Sequence, residues 1–489
     1  MKNNKFYITT PIYYVNDRPH IGHAYTTVLA DVLARQQEKQ GKDVFFLTGT
    51  DEHGAKISQA AKKAGKSEKN FVDEKAASFV EVWKKLNIEN SNFIRTTESA
   101  HVEAVKKAVQ RLFDKGFIYK GDYDGLYCTG CEQYKNSEDL IDGKCPEHQI
   151  EPQMMKEESY FFKLSQFQNV LKEKIEKGEL EILPQERKNE ILSFFGQELK
   201  DISISRAAVN WGIPLPFDEK FTIYVWIDAF FNYLTGLGWN GDQLIGSSVR
   251  QFKTEEPKGR EASENDKLVF FPPDLQLMSK DILRVHATIW PALLLALELP
   301  LPKKIYVHGY FTIDGQKMSK SLGNVIWPEE LVEKFGVDGA RYLLMSSLAF
   351  GQDGDISWEK LTEKYNSDLA NGLGNLISRV VKLNENIKAQ AEENESSGKA
   401  NGLLVEIKPK EALDEIWKRI AYANKKVEEA KLWEFIKTDA EEAKKVLSEL
   451  LGLIFEVSKE VAPFMPQTCG KIVEILESGK AEILFPRIK

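Results

Sequence analysis

The sequence predicts an α/β protein in which a parallel sheet wrapped by helices precedes an all-α C-terminal part. Two observations support this prediction: β-prone runs alternate with amphipathic helical periods over residues 1–118, and helical periodicity alone continues from about Leu361. Between these parts, a stretch from about 119 to 225 breaks the alternation and contains three of the four cysteines. We therefore expect two halves of one sheet domain at 1–118 and 226–325, an insertion at 119–225, a linker at 326–360 and a helical bundle at 361–489.

Two histidines lie where the first long helix is predicted to begin. A β-prone run over residues 5–10 leads into a loop, and apolar residues then recur every three or four positions from Ile21 to about Gly41. His20, Gly22 and His23 occupy the first turn, where free backbone NH groups and the helix dipole attract anions. The imidazoles there could donate hydrogen bonds to a polyphosphate, and the glycine would allow close approach of a nucleotide. Two surface histidines at a helix start are the alternative interpretation.

The rest of the first segment continues the alternation of strand and helix. Residues 44–50 form a near-continuous apolar run, which predicts a buried strand, and helices are expected at 71–86 and 102–113. Gly116 would close the second of these helices. Because a parallel sheet binds its ligands at the carboxyl ends of the strands, Asp51 at the end of the 44–50 run is a candidate binding residue.

A polar loop with two lysines forms a second candidate phosphate site, far along the chain. A β-prone run over residues 305–313 and a turn at Asp314-Gly315 precede the loop Lys317 to Ser321. Lys317 and Lys320 could close over a triphosphate and neutralise the charge that builds on a leaving pyrophosphate. A solvated turn is the alternative. The presence of the histidine turn in the same chain argues against this alternative.

The composition limits the class of protein. An apolar fraction of 42% is ordinary for a globular chain, and the most apolar stretch, Ile289 to Leu301, is too short to span a bilayer. The N-terminus leads into a strand, so neither a secretory signal nor membrane association is expected. With a formal net charge of −8, any nucleic-acid contact depends on local basic faces. Four cysteines, three of them clustered, argue against a disulfide framework and for a cytoplasmic protein.

Three cysteines and a histidine form a candidate metal site in the insertion. Two residues separate Cys128 from Cys131 and Cys145 from His148, which is the ligand spacing of two zinc knuckles. The pattern predicts one tetrahedral Zn²⁺ held by these four side chains, with no position left for a substrate. The metal is therefore expected to be structural and to stabilise a small subdomain. Unrelated thiols are the alternative, and Cys469 lies far from the cluster.

The segments His20-Ile21-Gly22-His23 and Lys317-Met318-Ser319-Lys320-Ser321 resemble the two signature sequences of class I aminoacyl-tRNA synthetases. Further segments resemble the methionyl-tRNA synthetase family, in its form with a single zinc knuckle, along nearly the whole chain. These segments are Thr9 to Tyr14, Tyr224 to Ala229, Lys280 to Ile282 with His286, and Trp290 to Ala292. The resemblance implies a Rossmann-like catalytic domain with a zinc-knuckle insertion, a linker that contacts the tRNA stem and an anticodon-binding helical bundle.

The resemblance also implies binding roles in the catalytic domain. Residues that would bind ATP are His20, Gly22, His23, Asp281, Lys317 and Lys320, with Asp281 contacting the adenylate through its ribose. The methionine side chain would be enclosed by Ile12, Tyr14, Trp226, Tyr233 and His286. Asp51 would pair with the amino group of the substrate. Ordinary core packing is the alternative for each aromatic residue.

In the helical part, the resemblance implies that Asn375, Arg379 and Trp433 contact the anticodon by polar contacts and base stacking. The sequence departs from the family pattern at two of the relevant positions. Trp433 follows Leu432 where the family usually has Pro, so a tryptophan buried in the bundle is the alternative. Ser279 stands where the family generally has Gly. The connection between Leu237 and Pro272, which runs through the polar stretch 247–266, is longer and more polar than the resemblance leads us to expect.

The activity implied is that of a methionine–tRNA ligase using ATP, L-methionine and tRNA(Met). His20, His23, Lys317 and Lys320 would stabilise charge during adenylate formation, assisted by Mg²⁺ bound to ATP. A monomer is expected, since the chain ends without an appended dimerisation domain. A synthetase for another apolar amino acid would need a larger editing insertion, and one for cysteine an open zinc site. The other alternative is a non-catalytic tRNA-binding protein with a synthetase-like fold.

Overall fold

The computed structural model describes residues 4–129, 133–135, 140–146, 149–207, 209–242, 267–318, 323–392 and 398–489. Within them the strands are β1 (Lys5–Thr9), β2 (Tyr13–Tyr14), β3 (Asp43–Asp51), β4 (Asn92–Arg95), β5 (Ile118–Cys128), β6 (Gln133–Lys135), β7 (Gln153–Phe162), β8 (Glu181–Leu183), β9 (Ile202–Ser203), β10 (Ser205–Arg206), β11 (Pro214–Leu215), β12 (Asp218–Ile223), β13 (Leu275–Ser279), β14 (Lys304–His308), β15 (Phe311–Ile313), β16 (Gln316–Lys317) and β17 (Gly354–Ile356).

The described helices are α1 (Ile21–Lys39), α2 (Ala55–Lys63), α3 (Glu68–Lys85), α4 (Ser99–Asp114), α5 (Gln168–Glu176), α6 (Gln185–Phe194), α7 (Val225–Phe230), α8 (Asn232–Thr235), α9 (Leu283–Ala296), α10 (Pro328–Ser347), α11 (Trp358–Lys364), α12 (Asn375–Ile387), α13 (Lys399–Val405), α14 (Pro409–Glu429), α15 (Leu432–Thr438), α16 (Ala440–Val461) and α17 (Pro466–Ser478). Short 3₁₀ turns cover Leu164–Phe167, Lys267–Phe270 and Lys280–Ile282, and a π-helical segment covers Tyr365–Gly374. The polar connection expected over 247–266 lies outside the described residues.

In the described part of the chain, seven strands form one parallel sheet in the order β2-β3-β1-β13-β14-β8, and β4 pairs with β3. Helix α1 lies between β1 and β3 along the chain, and α9 lies between β13 and β14, as parallel pairing requires. The chain leaves β1 and β13 toward opposite edges of the sheet. The carboxyl ends of these two neighbouring strands therefore border the crevice in which such sheets bind ligands. The predicted Rossmann-like fold is confirmed.

Apolar side chains cover both faces of this sheet. Along β3, Phe46 packs into one core cluster, whereas its neighbours Phe45 and Leu47 pack into another. In β1, Ile8 and Tyr7 divide between the same two clusters. Successive side chains of a strand point to opposite faces, so both faces of the sheet are buried. This burial holds the strand ends, and the residues that follow them, in defined positions.

Three features of the sheet differ from the prediction. The run 305–313 is not one strand: β14 ends at His308 and β15 begins at Phe311, because the chain must pass close to the backbone at Gln352. A Cβ atom on Gly309 would lie 2.1 Å from the carbonyl oxygen of Gln352. From the sequence, the β-prone run Phe221 to Trp226 is expected to resume the parallel sheet. Instead, β12 ends at Ile223 in a small antiparallel sheet with β10 and β11. Strand β8 comes from the predicted insertion yet pairs with β14.

The remainder of the predicted insertion is mostly antiparallel. Strands β5 and β7 form a long pair that is extended by β6 and β9, in the order β6-β5-β7-β9. The C-terminal part is helical from α11 onward, as predicted. None of the described helices has both the length and the apolar character needed to cross a membrane.

Candidate active site at the carboxyl ends of the strands

The histidine turn begins α1 with an arrangement of two stacked rings. His20 is the N-cap residue, and its Nδ1 accepts a hydrogen bond from the backbone NH of Gly22 at 3.0 Å. The backbone NH of His20 donates to Nδ1 of His23 at 3.2 Å, and the two ring centroids are 3.8 Å apart. Because both Nδ1 atoms accept, the network assigns the ring protons to Nε2. Each imidazole therefore carries its donor at Nε2.

Glycine is required within this turn. A Cβ atom on Gly22 would lie 2.9 Å from Cε1 of His20, which is closer than real Cβ atoms approach. A larger residue would displace the ring that caps the helix. The position of the His20 ring therefore depends on the small residue at position 22.

Contacts from the surrounding strands position the histidine turn. The Tyr13 ring lies 4.8 Å from that of His23, and the Tyr13 hydroxyl is 2.8 Å from Oγ1 of Thr27. Burial raises the pKa of Tyr13 to about 12, so its hydroxyl stays neutral. The backbone NH of Ile21 donates to the carbonyl of Ile326 at 3.2 Å. This last bond joins the first turn of α1 to the segment that follows the lysine loop.

His308, at the end of β14, also supports α1 and was not singled out from the sequence. Its Nδ1–H donates to the carbonyl of Gly309 at 2.8 Å, so its Nε2 accepts from the hydroxyl of Thr26 at 2.8 Å. Burial lowers the pKa of His308, which keeps the ring neutral. The nearest signal in the sequence was its place within the β-prone run over residues 305–313.

Part of the lysine loop is described. Lys317 is the last residue of β16, and its Cα pairs with Thr312 of β15. Asp314 and Gly315 both have positive φ, 50° and 75°, as the predicted hairpin turn requires. Lys320 lies outside the described residues.

A hydrogen-bonded pair of buried side chains lies in the predicted methionine pocket. His286 donates from Nδ1 to the carbonyl of Ile282 at 2.9 Å, and its Nε2 accepts from the Tyr233 hydroxyl at 2.9 Å. Burial lowers the pKa of His286 to about 4, although the Ile282 carbonyl and the charge of Asp281 act in the opposite direction. Burial also raises the pKa of Tyr233. The pair is therefore neutral and presents a weakly polar surface.

Aromatic rings surround this pair. Trp226 meets the His286 ring edge-on at 6.3 Å, and Phe230 does so at 5.0 Å. Trp290 lies 5.6 Å from Tyr233 and stacks on Phe230 at 5.8 Å. Sequence analysis had named Trp226 but neither Phe230 nor Trp290 as a binding residue. Helical spacing from Trp226 and from His286 was the available signal, because residues four positions apart share a face.

Ile12, Tyr14 and Asp51 complete the predicted methionine site at the neighbouring strand ends. Tyr14 and Asp51 are directly paired between β2 and β3, and the backbone NH of Val15 donates to the Asp51 carbonyl at 3.3 Å. Ile12, Tyr14 and Trp226 all pack against the core cluster that contains Tyr233. Ile12, Tyr14 and Trp226 therefore share one core cluster with Tyr233, although they come from separate parts of the chain.

A buried cluster behind the pocket was missed by sequence analysis. Asp228 accepts from Nδ1 of His53 at 2.7 Å and from Nε2 of His101 at 2.8 Å, with all three residues buried. Burial raises the pKa of Asp228, but the two histidines outweigh that effect, so its pKa is lowered. The cluster joins α7, α4 and the end of β3, and so fixes the helix that carries Trp226.

A second polar network holds the residue beside Asp51. Arg95 donates to both carboxylate oxygens of Glu52, from Nε at 2.7 Å and from Nη2 at 2.9 Å. The indole NH of Trp211 donates to the backbone carbonyl of Glu52 at 2.6 Å. A buried carboxylate with a bidentate arginine is rigidly oriented. The end of β3, including Asp51, is therefore held from two sides.

Asp281 lies across the crevice from the histidine turn, in the 3₁₀ turn that follows β13. Its side chain is exposed, and the hydroxyl of Ser279 donates to its Oδ1. The neighbouring Lys280 is turned toward Asp353, with Nζ 2.8 Å from Oδ2. A carboxylate at this strand end is in position to accept hydrogen bonds from a nucleotide in the crevice.

The predicted anticodon residues lie on the helical part. Asn375 and Arg379 are four residues apart on α12, and Arg379 makes a 3.4 Å ion pair with Glu428. Trp433 is 44% exposed, whereas Leu432 beside it is fully buried. The alternative of a tryptophan buried in the bundle is therefore wrong, because the leucine fills the core at this point.

The zinc candidates are described only in part, since Cys131 and His148 lie outside the described residues. Cys128 ends β5, and Cys145 follows a turn at Asp142-Gly143 with positive φ at both residues. The backbone NH of Cys145 donates to the carbonyl of Ile150 at 2.9 Å. Both thiols are fully buried, although residues 141–144 are exposed.

This burial pattern fits the predicted zinc site. Two thiols are sequestered in a segment that offers little apolar core to bury them, as expected where a metal gathers its ligands. Among the described residues there is no cluster of three possible metal ligands. Two of the four predicted ligands lie outside that part of the chain.

Comparisons with known proteins agree with this geometry. The family profile described as tRNA synthetases class I (M) matches residues 6–153 and 134–381. The chain is 41% identical to the methionine–tRNA ligase of Clostridium acetobutylicum over 528 residues, covering 100% of this chain and 79% of that protein. It is 40% identical to that of Thermotoga maritima over 491 residues, covering 96% of this chain and 74% of the relative.

A solved structure agrees over the same extent. Mycobacterium tuberculosis methionyl-tRNA synthetase in complex with methionyl-adenylate matches with a TM-score of 0.86 at 32% identity. The match covers 99% of this chain and 98% of that chain. The family profile spans the histidine turn, the pocket and the lysine loop. On these grounds the chain belongs to the class I methionyl-tRNA synthetases.

Proposed function

We propose that the chain activates L-methionine with ATP in the crevice between β1 and β13, and then transfers the methionyl group to tRNA(Met). A carboxylate oxygen of methionine attacks the α-phosphorus of ATP, and pyrophosphate leaves to give methionyl-adenylate. A hydroxyl of the 3′-terminal ribose of the tRNA then attacks the methionyl carbonyl, and AMP leaves. The observations that carry this proposal are the two stacked histidines in the first turn of α1 and the neutral pair of Tyr233 and His286 among aromatic rings.

In the first step the protein aligns the substrates and stabilises charge. His20 and His23 would donate from Nε2 to the phosphates, where the helix dipole also favours negative charge. Lys317 and Lys320 would neutralise the leaving pyrophosphate. When bound with ATP, Mg²⁺ would supply further neutralisation of the phosphate oxygens. No covalent intermediate with the protein is needed.

Methionine recognition would use the neutral pair of Tyr233 and His286. A thioether is polarizable and accepts only weak hydrogen bonds, so aromatic walls with a few polar tips suit it. Trp226 would cover the side chain, and Ile12 with Tyr14 would complete the wall. The carboxylate of Asp51 would pair with the substrate ammonium group, in a position held by the Glu52 network.

The remaining parts would serve tRNA binding and stability. The exposed ring of Trp433 would stack on an anticodon base, with Asn375 and Arg379 making polar contacts nearby. Cys128, Cys131, Cys145 and His148 would hold one Zn²⁺, which would cross-link the two turns of the insertion. We also propose that the protein works as a monomer in the cytoplasm.

Exchange of labelled pyrophosphate into ATP, run with methionine and a panel of apolar amino acids, tests the proposal. We expect exchange that depends on methionine and is much weaker with leucine, isoleucine and valine. Exchange driven by another amino acid would assign a different substrate. Absence of exchange with every amino acid, together with retained tRNA binding, would favour a non-catalytic binding protein.

A further inference from the structure

Ser279 occupies a position that faces the nucleotide crevice. It is the last residue of β13, next to β1, and it leads into the 3₁₀ turn Lys280–Ile282. In the sheet it is paired with His308 of β14, whose ring supports α1 through Thr26. The serine therefore lies at the switch point where a sheet of this topology binds its ligand.

The side chain of Ser279 is directed at a carboxylate on the same turn. Its hydroxyl donates to Oδ1 of Asp281, two residues ahead. Lys280, between them, is bound instead to Asp353, which also accepts from the backbone NH of Tyr310 at 2.8 Å. The hydroxyl makes no helix-capping hydrogen bond. The hydrogen bond between Ser279 and Asp281 is therefore not part of the capping of the 3₁₀ turn.

We propose that Ser279 is a positioning residue for the nucleotide, and that it orients the Asp281 carboxylate toward the ribose hydroxyls of ATP. The proposal rests on the proposed function, since it assigns the ligand of that site. A carboxylate has lone pairs on two oxygens, so one can be held by the serine while the other accepts from the ligand. The ligand class is a ribonucleoside triphosphate with both ribose hydroxyls present.

The physical basis is preorganisation of an exposed side chain. A free aspartate samples several rotamers, and ordering it on binding costs affinity. A hydrogen bond that is already present in the unliganded protein removes part of this cost.

Substitution of the serine separates this role from a structural one. We expect Ser279→Ala to raise the KM for ATP in methionine-dependent pyrophosphate exchange by about three- to tenfold, as for loss of one hydrogen bond. The KM for methionine should stay unchanged, and Ser279→Thr, which keeps the hydroxyl, should restore the KM for ATP. Ser165→Ala is the matched control, because Ser165 donates to Asp201 at 2.6 Å in an exposed pair of the insertion.

Comparison of ATP with 2′-deoxy-ATP and 3′-deoxy-ATP gives the decisive measurement. Ser279→Ala should reduce the preference for ATP over at least one deoxy analogue by about the same three- to tenfold factor as the rise in the KM for ATP. In an Asp281→Asn background the serine substitution should have little further effect, since it acts through that carboxylate. Thermal melting of each variant, with an unchanged midpoint expected, shows that the fold is retained.

Two results would overturn the inference and are distinguishable from each other. The positioning role would be rejected if Ser279→Ala kept the full preference for ATP over both deoxy analogues. It would also be rejected if Ser279→Ala raised the KM for ATP equally in the Asp281→Asn background. In both cases, methionine-dependent exchange by the unmodified protein would still support the proposed function. Absence of methionine-dependent exchange in the unmodified protein would overturn the proposed function, and this inference with it.

Discussion

Nη2 of Arg341 on α10 lies 2.6 Å from Oδ2 of Asp31 on α1, and both side chains are fully buried. The same guanidinium donates to the carbonyls of Phe464 at 2.8 Å and Pro463 at 3.0 Å, in the connection between α16 and α17. One side chain therefore joins the helix that begins with the histidine turn to the last two helices of the bundle.

Replacement of this arginine should be costly. Arg341→Met would leave buried carbonyls without a donor and weaken the pairing of Asp31, which Arg35 would still contact at 2.7 Å. We expect the free energy of unfolding to fall by about 3 kcal/mol. Urea unfolding measures this, with Lys410→Met as control, because the exposed pair of Lys410 and Asp414 should contribute less than about 0.5 kcal/mol. Equal effects of the two substitutions would contradict the expectation.

The neutral state of His286 predicts a pH dependence of stability. Its pKa is lowered to about 4 by burial, whereas an unfolded histidine titrates near pH 6.5, about the usual value. Between these values the unfolded state binds the extra proton. The stability due to neutral His286 is therefore fully present above about pH 6.5 and is lost as the pH falls toward 4.

His286→Gln should remove this contribution. In the unmodified protein we expect the free energy of unfolding to fall more steeply below pH 6.5, by up to about 1.4 kcal/mol per pH unit. Urea unfolding of both proteins at a series of pH values measures the difference between their free energies of unfolding. The contributions of the other titrating groups cancel in this difference. Parallel curves for the two proteins would contradict this expectation, because they would show that His286 has the same pKa in the folded and unfolded states.

Lys320 should act on the reaction and not on methionine binding. We expect Lys320→Ala to lower the rate of adenylate formation by about 100-fold, since it would remove charge stabilisation that develops in the transition state. Methionine affinity, measured by fluorescence titration, should change less than about twofold. The exposed Lys62 of α2 supplies the control Lys62→Ala. Equal losses of rate and affinity would remove this role from Lys320.

The zinc prediction is tested by metal content. We expect about one Zn²⁺ per chain, and loss of most of it in Cys128→Ala and in Cys145→Ala, because each would remove one of four ligands. Cys469→Ala should keep the metal. Both ligand variants should also melt at lower temperature than the unmodified protein, since metal binding contributes folding free energy. Full zinc content in Cys128→Ala would reject the assignment.

Trp433 should affect tRNA and not ATP or methionine. Trp433→Ala is expected to raise the KM for tRNA(Met) by about tenfold or more, in line with loss of one stacked base. Pyrophosphate exchange, which needs no tRNA, should be unchanged. Tyr422→Ala is a suitable control, because that ring on α14 is 54% exposed and has no predicted role in anticodon binding. A similar loss in both variants would indicate a general effect on the bundle.

Local sequence patterns were sufficient for many elements. Helix α1 begins at Ile21, as its periodicity predicted, because the His20 cap and the apolar stripe are both local features. Strand β3 was recognisable because a strand buried on both faces is apolar throughout.

Long-range packing decided the features that were missed or wrong. No local signal marks the close approach of Gly309 to Gln352 that ends β14, or the pairing of β8 with β14. Asp228 meets His53 and His101 only because the sheet brings α7 and α4 together. The buried state of Leu432, which leaves Trp433 exposed, depends on the packing of the bundle.

The amino-acid sequence alone was enough to identify the chemistry of this protein, since the histidine turn, the lysine loop and the cysteine spacing each carry reactive groups within a few residues. The folded chain was needed to define their environment. The neutral state of His286, the Nε2–H assignment of the stacked histidines and the orientation of Asp281 by Ser279 all depend on burial and hydrogen bonding. The burial of His286 and its contact with Tyr233 arise between segments that are distant in sequence and adjacent only in the folded chain. The contacts of the histidine turn and of Ser279 are local, but their place at the ends of neighbouring strands is set by the sheet.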